Sequence, residues 1–139
     1  MSLITSLMAL CRKKNSEQKV NDADVKTILE AINLSASAAG LQPYRVVVVE
    51  NPEVRRQLAE GGFNPQVTET WHLLVFAAIE NLSTAHVDDY IQRMADTRGI
   101  AVEALGDFRK ILVANLTGRT TEEHFIWASK QAYIGWGQG

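Results

Sequence analysis

The strongest constraint in this sequence is a run of four valines. Tyr44-Arg45-Val46-Val47-Val48-Val49 is β-branched and lacks polar alternation, the pattern of a strand covered on both faces. Just before it stands Leu34-Ser35-Ala36-Ser37-Ala38-Ala39-Gly40, a stretch nearly bare of side chains, and then Gln42-Pro43. Two readings of the small residues stay open. They can form a close helix-to-strand turn, or a backbone against which something large and flat lies. A second apolar run, WHLLVFAAIE over 71–80, reads as another buried strand. Two strands alone do not make a stable covered sheet. The pattern therefore implies part of a larger α+β structure, or a partner chain that completes it.

The remaining segments read as helices. Residues 2–10 carry Leu3, Ile4, Leu7, Met8 and Leu10 on one apolar face. NDADVKTILEAINLS opens with Asn21 or Asp22 as the N-cap and has acids in its first turn. Its expected buried stripe is Val25, Ile28, Leu29 and Ile32, with Gly40 and Pro43 ending it. Asn51-Pro52 starts a helix with the cap before a first-position proline, running to Gly61-Gly62. From Ser83 the pattern is helical to the end, with stops at Gly99 and Gly118. One of these helices is expected to bury Leu105, Phe108, Ile111, Leu112 and Leu116. The aromatics Trp71, Phe125, Trp127, Tyr133 and Trp136 are expected in the core or at a dimer interface. No internal repeat and no linker interrupts the chain.

Composition narrows the function. The 139 residues support one domain. A net charge of -2, without a long Lys/Arg cluster, gives no footprint for nucleic acid or an anionic membrane. No run is long enough to span a bilayer, and the first helix lacks the charge order of a signal peptide. A lone Cys11 excludes an internal disulfide and suits a reducing compartment. The cytoplasm is the expected location. His72, His86 and His124 stand at no metal-ligand spacing. No GxGxxG follows either strand, and Asp88-Asp89 reads as a solvated pair. Chemistry that needs strong side chains is poorly supplied, whereas chemistry borne by a bound cofactor needs mainly shape and hydrogen bonds from the protein.

Three segments together carry a resemblance. ILEAINLSASAAGLQPYRVVVVENPEVRRQL, then FNPQVTETWHLLVFAA, then EEHFIWASKQAYIGWGQG resemble, in order across residues 22–139, the nitroreductase family. The resemblance implies a homodimeric α+β fold with helices around a central, mostly antiparallel sheet, binding FMN at the subunit interface. It further implies NAD(P)H as transient hydride donor and a nitroaromatic, quinone or similar acceptor. Family members place a Pro-Ser-Ser turn against the flavin ring, and Ser35, Ala36 and Ser37 occupy that turn here. Ser37 matches the family's serine. Ala36 stands where proline is usual and Ala38 where a second serine often sits. Gln42 matches the glutamine before proline. Asn64 matches an asparagine that bonds the ring's polar edge. Read without the resemblance, Ser37 caps a turn and Asn64 opens a helix.

Two departures stand out. The family's basic segment, which grips the FMN phosphate, is CRKKNSEQKV here. Arg12 takes the leading position, Lys13 and Lys14 offer charge and Ser16 a hydroxyl, but the usual aromatic is absent. Family members also continue past the KQAY helix, adding strands, a loop over the ring and late basic residues. The sequence is therefore expected to be C-terminally incomplete relative to the family. The rival expectation is a non-catalytic or flavin-free dimeric remnant of the same scaffold.

Overall fold

A computed structural model describes residues 19–62 and 64–138 of the chain. The expected helix over 2–10, together with Cys11, Arg12, Lys13, Lys14 and Ser16, lies outside the described residues. Helix α1 spans Asp22–Asn33. Asn21 caps it, its Oδ1 accepting the Asp24 N–H at 2.8 Å, and Asp22 and Asp24 sit at the positive end of the helix dipole. The helix ends at Asn33, earlier than Gly40. Ser35 Oγ donates back to the Ala31 carbonyl at 3.0 Å, and the chain leaves the helix through a short 3₁₀ turn, Ala38–Gly40.

Strand β1 is Tyr44–Val49 and β2 is Leu73–Ala78. They pair antiparallel, with Tyr44 opposite Ala78 and Val49 opposite Leu73. Between them lie α2, Pro52–Ala59, and the short α3, Gln66–Glu69. Asn51 Oδ1 accepts the Glu53 N–H at 2.9 Å ahead of Pro52, the cap-and-proline start that the sequence announces. After β2 come α4, Thr84–Arg98, a 3₁₀ turn, Val102–Leu105, and α5, Gly106–Thr117. Gly99 ends α4 in the left-handed region at φ 64°. The last helix, α6, is Thr121–Gln138. Its start is a reciprocal cap. Glu123 Oε2 accepts the Thr120 N–H at 2.7 Å, and Thr120 Oγ1 accepts the Glu123 N–H at 3.3 Å. The Thr120 backbone bond holds the Glu123 carboxyl below its ordinary range.

Burial is divided among three groups. Val87, Ile91 and Ala95 of α4 pack with Leu105, Leu112 and Leu116. Ile32 of α1 packs with Tyr44, Phe76 and Ala132 of α6, with Val46 and Leu74 alongside. Val67 of α3 covers Leu73 and Val75 beside Val49. The last two groups show how the hairpin is covered. One face, Tyr44–Val46–Phe76–Leu74, lies under α1 and α6. The other is covered at Val49, Leu73 and Val75, by α2 and α3.

β1 is accordingly not buried on both faces as its valine run suggests. Arg45 is exposed and Val47 is 49% exposed, although Val75 opposite Val47 is buried beside Val67. Val25, Ile28 and Leu29 are half-buried rather than enclosed. Ile111 is exposed, since α5 packs through Leu112 and Leu116 instead. Trp71, Tyr133 and Trp136 are partly open, so they are not core residues of this chain. Asp88 is not merely solvated. Arg109 donates to both its oxygens, at 2.6 and 3.2 Å, and ties α5 to α4.

Candidate functional site

The segment 34–43 is built as a braced turn. Ser37 Oγ accepts the N–H of Gln42, five residues on, at 3.0 Å and closes the loop. Gln42 Nε2 donates to the Asn33 carbonyl at 2.7 Å and the Ser35 carbonyl at 3.4 Å. Ala39 at φ 56°, Gly40 at φ 73° and Gln42 at φ 43° all sit in the left-handed region. For Ala39 and Gln42 that backbone costs roughly 1–2 kcal/mol each. Such strain persists only where the surroundings over-determine it.

Two distant residues supply the bracing. Gln131, buried on α6, accepts the Ala38 N–H through Oε1 at 2.7 Å. Tyr90 of α4 donates its hydroxyl to the Ala39 carbonyl at 2.8 Å. Gly40 is required where it stands, because a Cβ there would come within 3.3 Å of Tyr90 Cζ and collide with the phenol oxygen. The turn therefore holds a fixed surface on which Ala36, Ala38, Ala39 and Gly40 are exposed. Leu34 beside it is 82% exposed. The first open reading, a close turn between helix and strand, is what the structure shows, and the turn also offers a nearly bare face.

The other candidate residues lie elsewhere. Ser35 is buried and bonded to α1, so it shapes the turn from behind. Asn64 Oδ1 accepts the Gln66 N–H at 3.1 Å and starts α3. Through α3 it belongs to the Val49–Leu73 end of the hairpin, whereas Ser37 and Gln42 lead into the Tyr44 end. A six-residue strand separates these ends by about 17 Å. The two sets of groups thus adjoin different ends of the hairpin. Arg12 lies outside the described residues. The histidines have local partners. His72 Nε2 is 3.1 Å from Glu50 Oε1, His86 Nδ1 accepts the Ser83 N–H, and His124 Nε2 meets the Leu116 carbonyl at 2.9 Å.

Sequence reasoning missed Tyr90 and Gln131 as supports. Gln131 lies inside the KQAY segment, but nothing local indicates that its amide reaches 93 residues back. Tyr90 carries no signal beyond its helical spacing. Gly135 was also unread. A Cβ there would come within 2.7 Å of Tyr44 Cζ, so α6 meets the Tyr44 ring at a residue without a side chain.

Comparison with known proteins agrees with this architecture. The profile described as "Nitroreductase family" matches residues 11–137. A Staphylococcus epidermidis protein with the provisional name NAD(P)H nitroreductase is 36% identical over 129 residues, covering 84% of this chain and 56% of the relative. The major NAD(P)H-flavin oxidoreductase of Aliivibrio fischeri is 26% identical over 91% of this chain and 61% of its own length. A solved Exiguobacterium sibiricum structure, provisionally termed a nitroreductase and in complex with FMN, superposes with TM-score 0.71 at 17% identity. It covers 91% of this chain and 61% of that one. The chain thus spans little more than half the length of the relatives it matches. The profile match, the relatives' identity and the shared fold agree that this chain belongs to the nitroreductase family.

Proposed function

We propose that this chain forms part of an FMN-dependent oxidoreductase that passes electrons from NAD(P)H to nitroaromatic, quinone or similar acceptors. The observation that carries the reading is the braced turn. Its exposed residues are alanine and glycine, which lets a flat ring approach the backbone. Its strained geometry is held by Gln131 and Tyr90, so the surface needs no reorganisation when the ring arrives. On this test the residues present fit a flavin. FMN, when bound, supplies the hydride chemistry.

The residues of the chain bind and orient it. Ala36 and Ser37 would lie against the ring, with Gln42 fixing the turn from within. Asn64 would offer its amide to the ring's polar edge, where a hydrogen-bond donor favours the electron-rich form. Arg12 would meet the phosphate. Because the turn and Asn64 stand at opposite ends of the hairpin, the same flavin would take one set from each of two chains. A homodimer is consistent with the exposed apolar residues Ile126, Ile134 and Trp136 on α6 and Leu34 next to the turn. Among the described residues no helix is long and apolar enough to cross a membrane. We place the enzyme in the cytoplasm. The test is anaerobic mixing of FMN-loaded protein with NADH or NADPH. Bleaching of the flavin band, restored by a nitroaromatic or a quinone, supports the reading. A loaded protein that neither nicotinamide reduces would reject it.

A further inference from the structure

A groove of about 810 Å³ opens between α1, the start of β1 and α4. Arg45 reaches it from β1, and Arg93 and Arg98 from α4, over an apolar wall of Leu29, Ile32 and Met94. Among the described residues, neither aspartate nor glutamate lines it, although the chain has 16 acidic residues against 14 Lys and Arg. Among the described residues, the arginines bonded to carboxylates are Arg56, with Glu53 and Glu60, and Arg109, with Asp88. Those in the groove bond only to backbone where they bond at all. Arg45 donates to the Tyr44 carbonyl at 3.1 Å, and Arg93 to the Asp89 carbonyl at 3.2 Å.

Three guanidinium groups without a carboxylate partner among the described residues, around one concavity, concentrate positive potential there. Their forked donors match the oxygens of a carboxylate or a phosphate. The apolar wall adds a second requirement, because it has no use for a bare inorganic ion but gains by covering hydrocarbon. We propose that this groove is a binding site for a small organic oxyanion, a carboxylate or phosphate ester carried on an apolar body. The groove adjoins the turn, with Gly40, Leu41 and Gln42 in its lining beside Tyr90, whereas Ala36, Ala38 and Ala39 of the turn's exposed face lie outside it.

The experiment is calorimetric titration of the full chain with benzoate and with phenyl phosphate, before and after FMN is added. Inorganic phosphate serves as the control without an apolar body. Saturable binding of benzoate or phenyl phosphate, at least tenfold tighter than inorganic phosphate, is the expected result, and the stronger of the two identifies the oxyanion. The exposed pair Arg93→Gln/Arg98→Gln should weaken it at least tenfold with an unchanged melting curve. Arg45→Gln provides an independent second variant. Three outcomes would overturn the proposal: no saturation by either organic probe, affinity unaltered in both variants, or competition with FMN, which would make the groove part of the flavin site. The titration before FMN is added reads the groove even if the chain takes no flavin, so the two proposals fail separately.

Discussion

Replacing Gln131 by leucine should loosen the turn without unfolding the domain. Four side-chain hydrogen bonds of 3.0 Å or shorter fix residues 37–42: Gln131 to Ala38, Tyr90 to Ala39, Ser37 to Gln42, and Gln42 to Asn33. At about 1 kcal/mol net for each, they total about 4 kcal/mol. Against this stands strain at Ala39 and Gln42, together about 2–4 kcal/mol. The margin is small, so losing the Gln131 acceptor brings the braced and relaxed turns close to balance. The Ala38 N–H is only partly buried, so water can replace the lost oxygen and the global loss stays near 1 kcal/mol. For a chain of this size that lowers Tm by about 3–5 °C. If only the braced turn accepts the flavin, a turn near balance is competent about half of the time and FMN binding weakens about twofold. The assays are amide hydrogen exchange at Ala38, Ala39 and Gly40, and fluorimetric FMN titration. Gln131→Glu retains an acceptor oxygen and should recover part of both. Unchanged exchange and unchanged FMN affinity in Gln131→Leu would refute the bracing argument.

Other substitutions probe neighbouring claims. Gly40→Ala adds a methyl against the Tyr90 phenol at φ 73°; it should destabilise by about 1–3 kcal/mol and reduce FMN uptake, both read in one thermal and spectral titration. Tyr44 Oη is buried without a hydrogen-bond partner among the described residues, and burial pushes its phenol pKa up. Tyr44→Phe should therefore leave chemical-denaturation stability unchanged or raised, and should relieve part of the Gly135→Ala clash in a double-mutant cycle. Arg109 donates to Asp88 and holds its carboxyl below the ordinary range. A depressed carboxylate stabilises the fold above its unfolded pKa, about 3.9, and that contribution disappears as pH falls through the lower folded value. The Tm difference between Asp88→Asn and the parent should thus be full at neutral pH and close below about pH 4.

Elements governed by local chemistry were legible in the sequence. Asn21, the Asn51-Pro52 pair and Gly99 mark their helix ends because caps and left-handed stops act within a turn of their own residue. The valine run gave the strand, and the bare segment gave a turn. Features that depend on distant partners were not legible. The exposure of Val47 depends on how α2 and α3 lie over the hairpin. The Asp88–Arg109 tie depends on how α5 lies on α4. Of the candidate site the sequence offered residue types: Ser35, Ala36, Ser37 and Gln42 share one turn as near neighbours in the chain, and Asn64 stands at the start of α3. Its bracing was not legible, because Gln131 and Tyr90 lie 93 and 51 residues from the atoms they hold.

The most direct test of the account is an absorption spectrum combined with sedimentation equilibrium on one sample, after incubation with excess FMN and desalting. The account predicts flavin bands at close to one per chain and a mass of two chains. A colourless protein, or a flavin-bearing species with the mass of one chain, would contradict it.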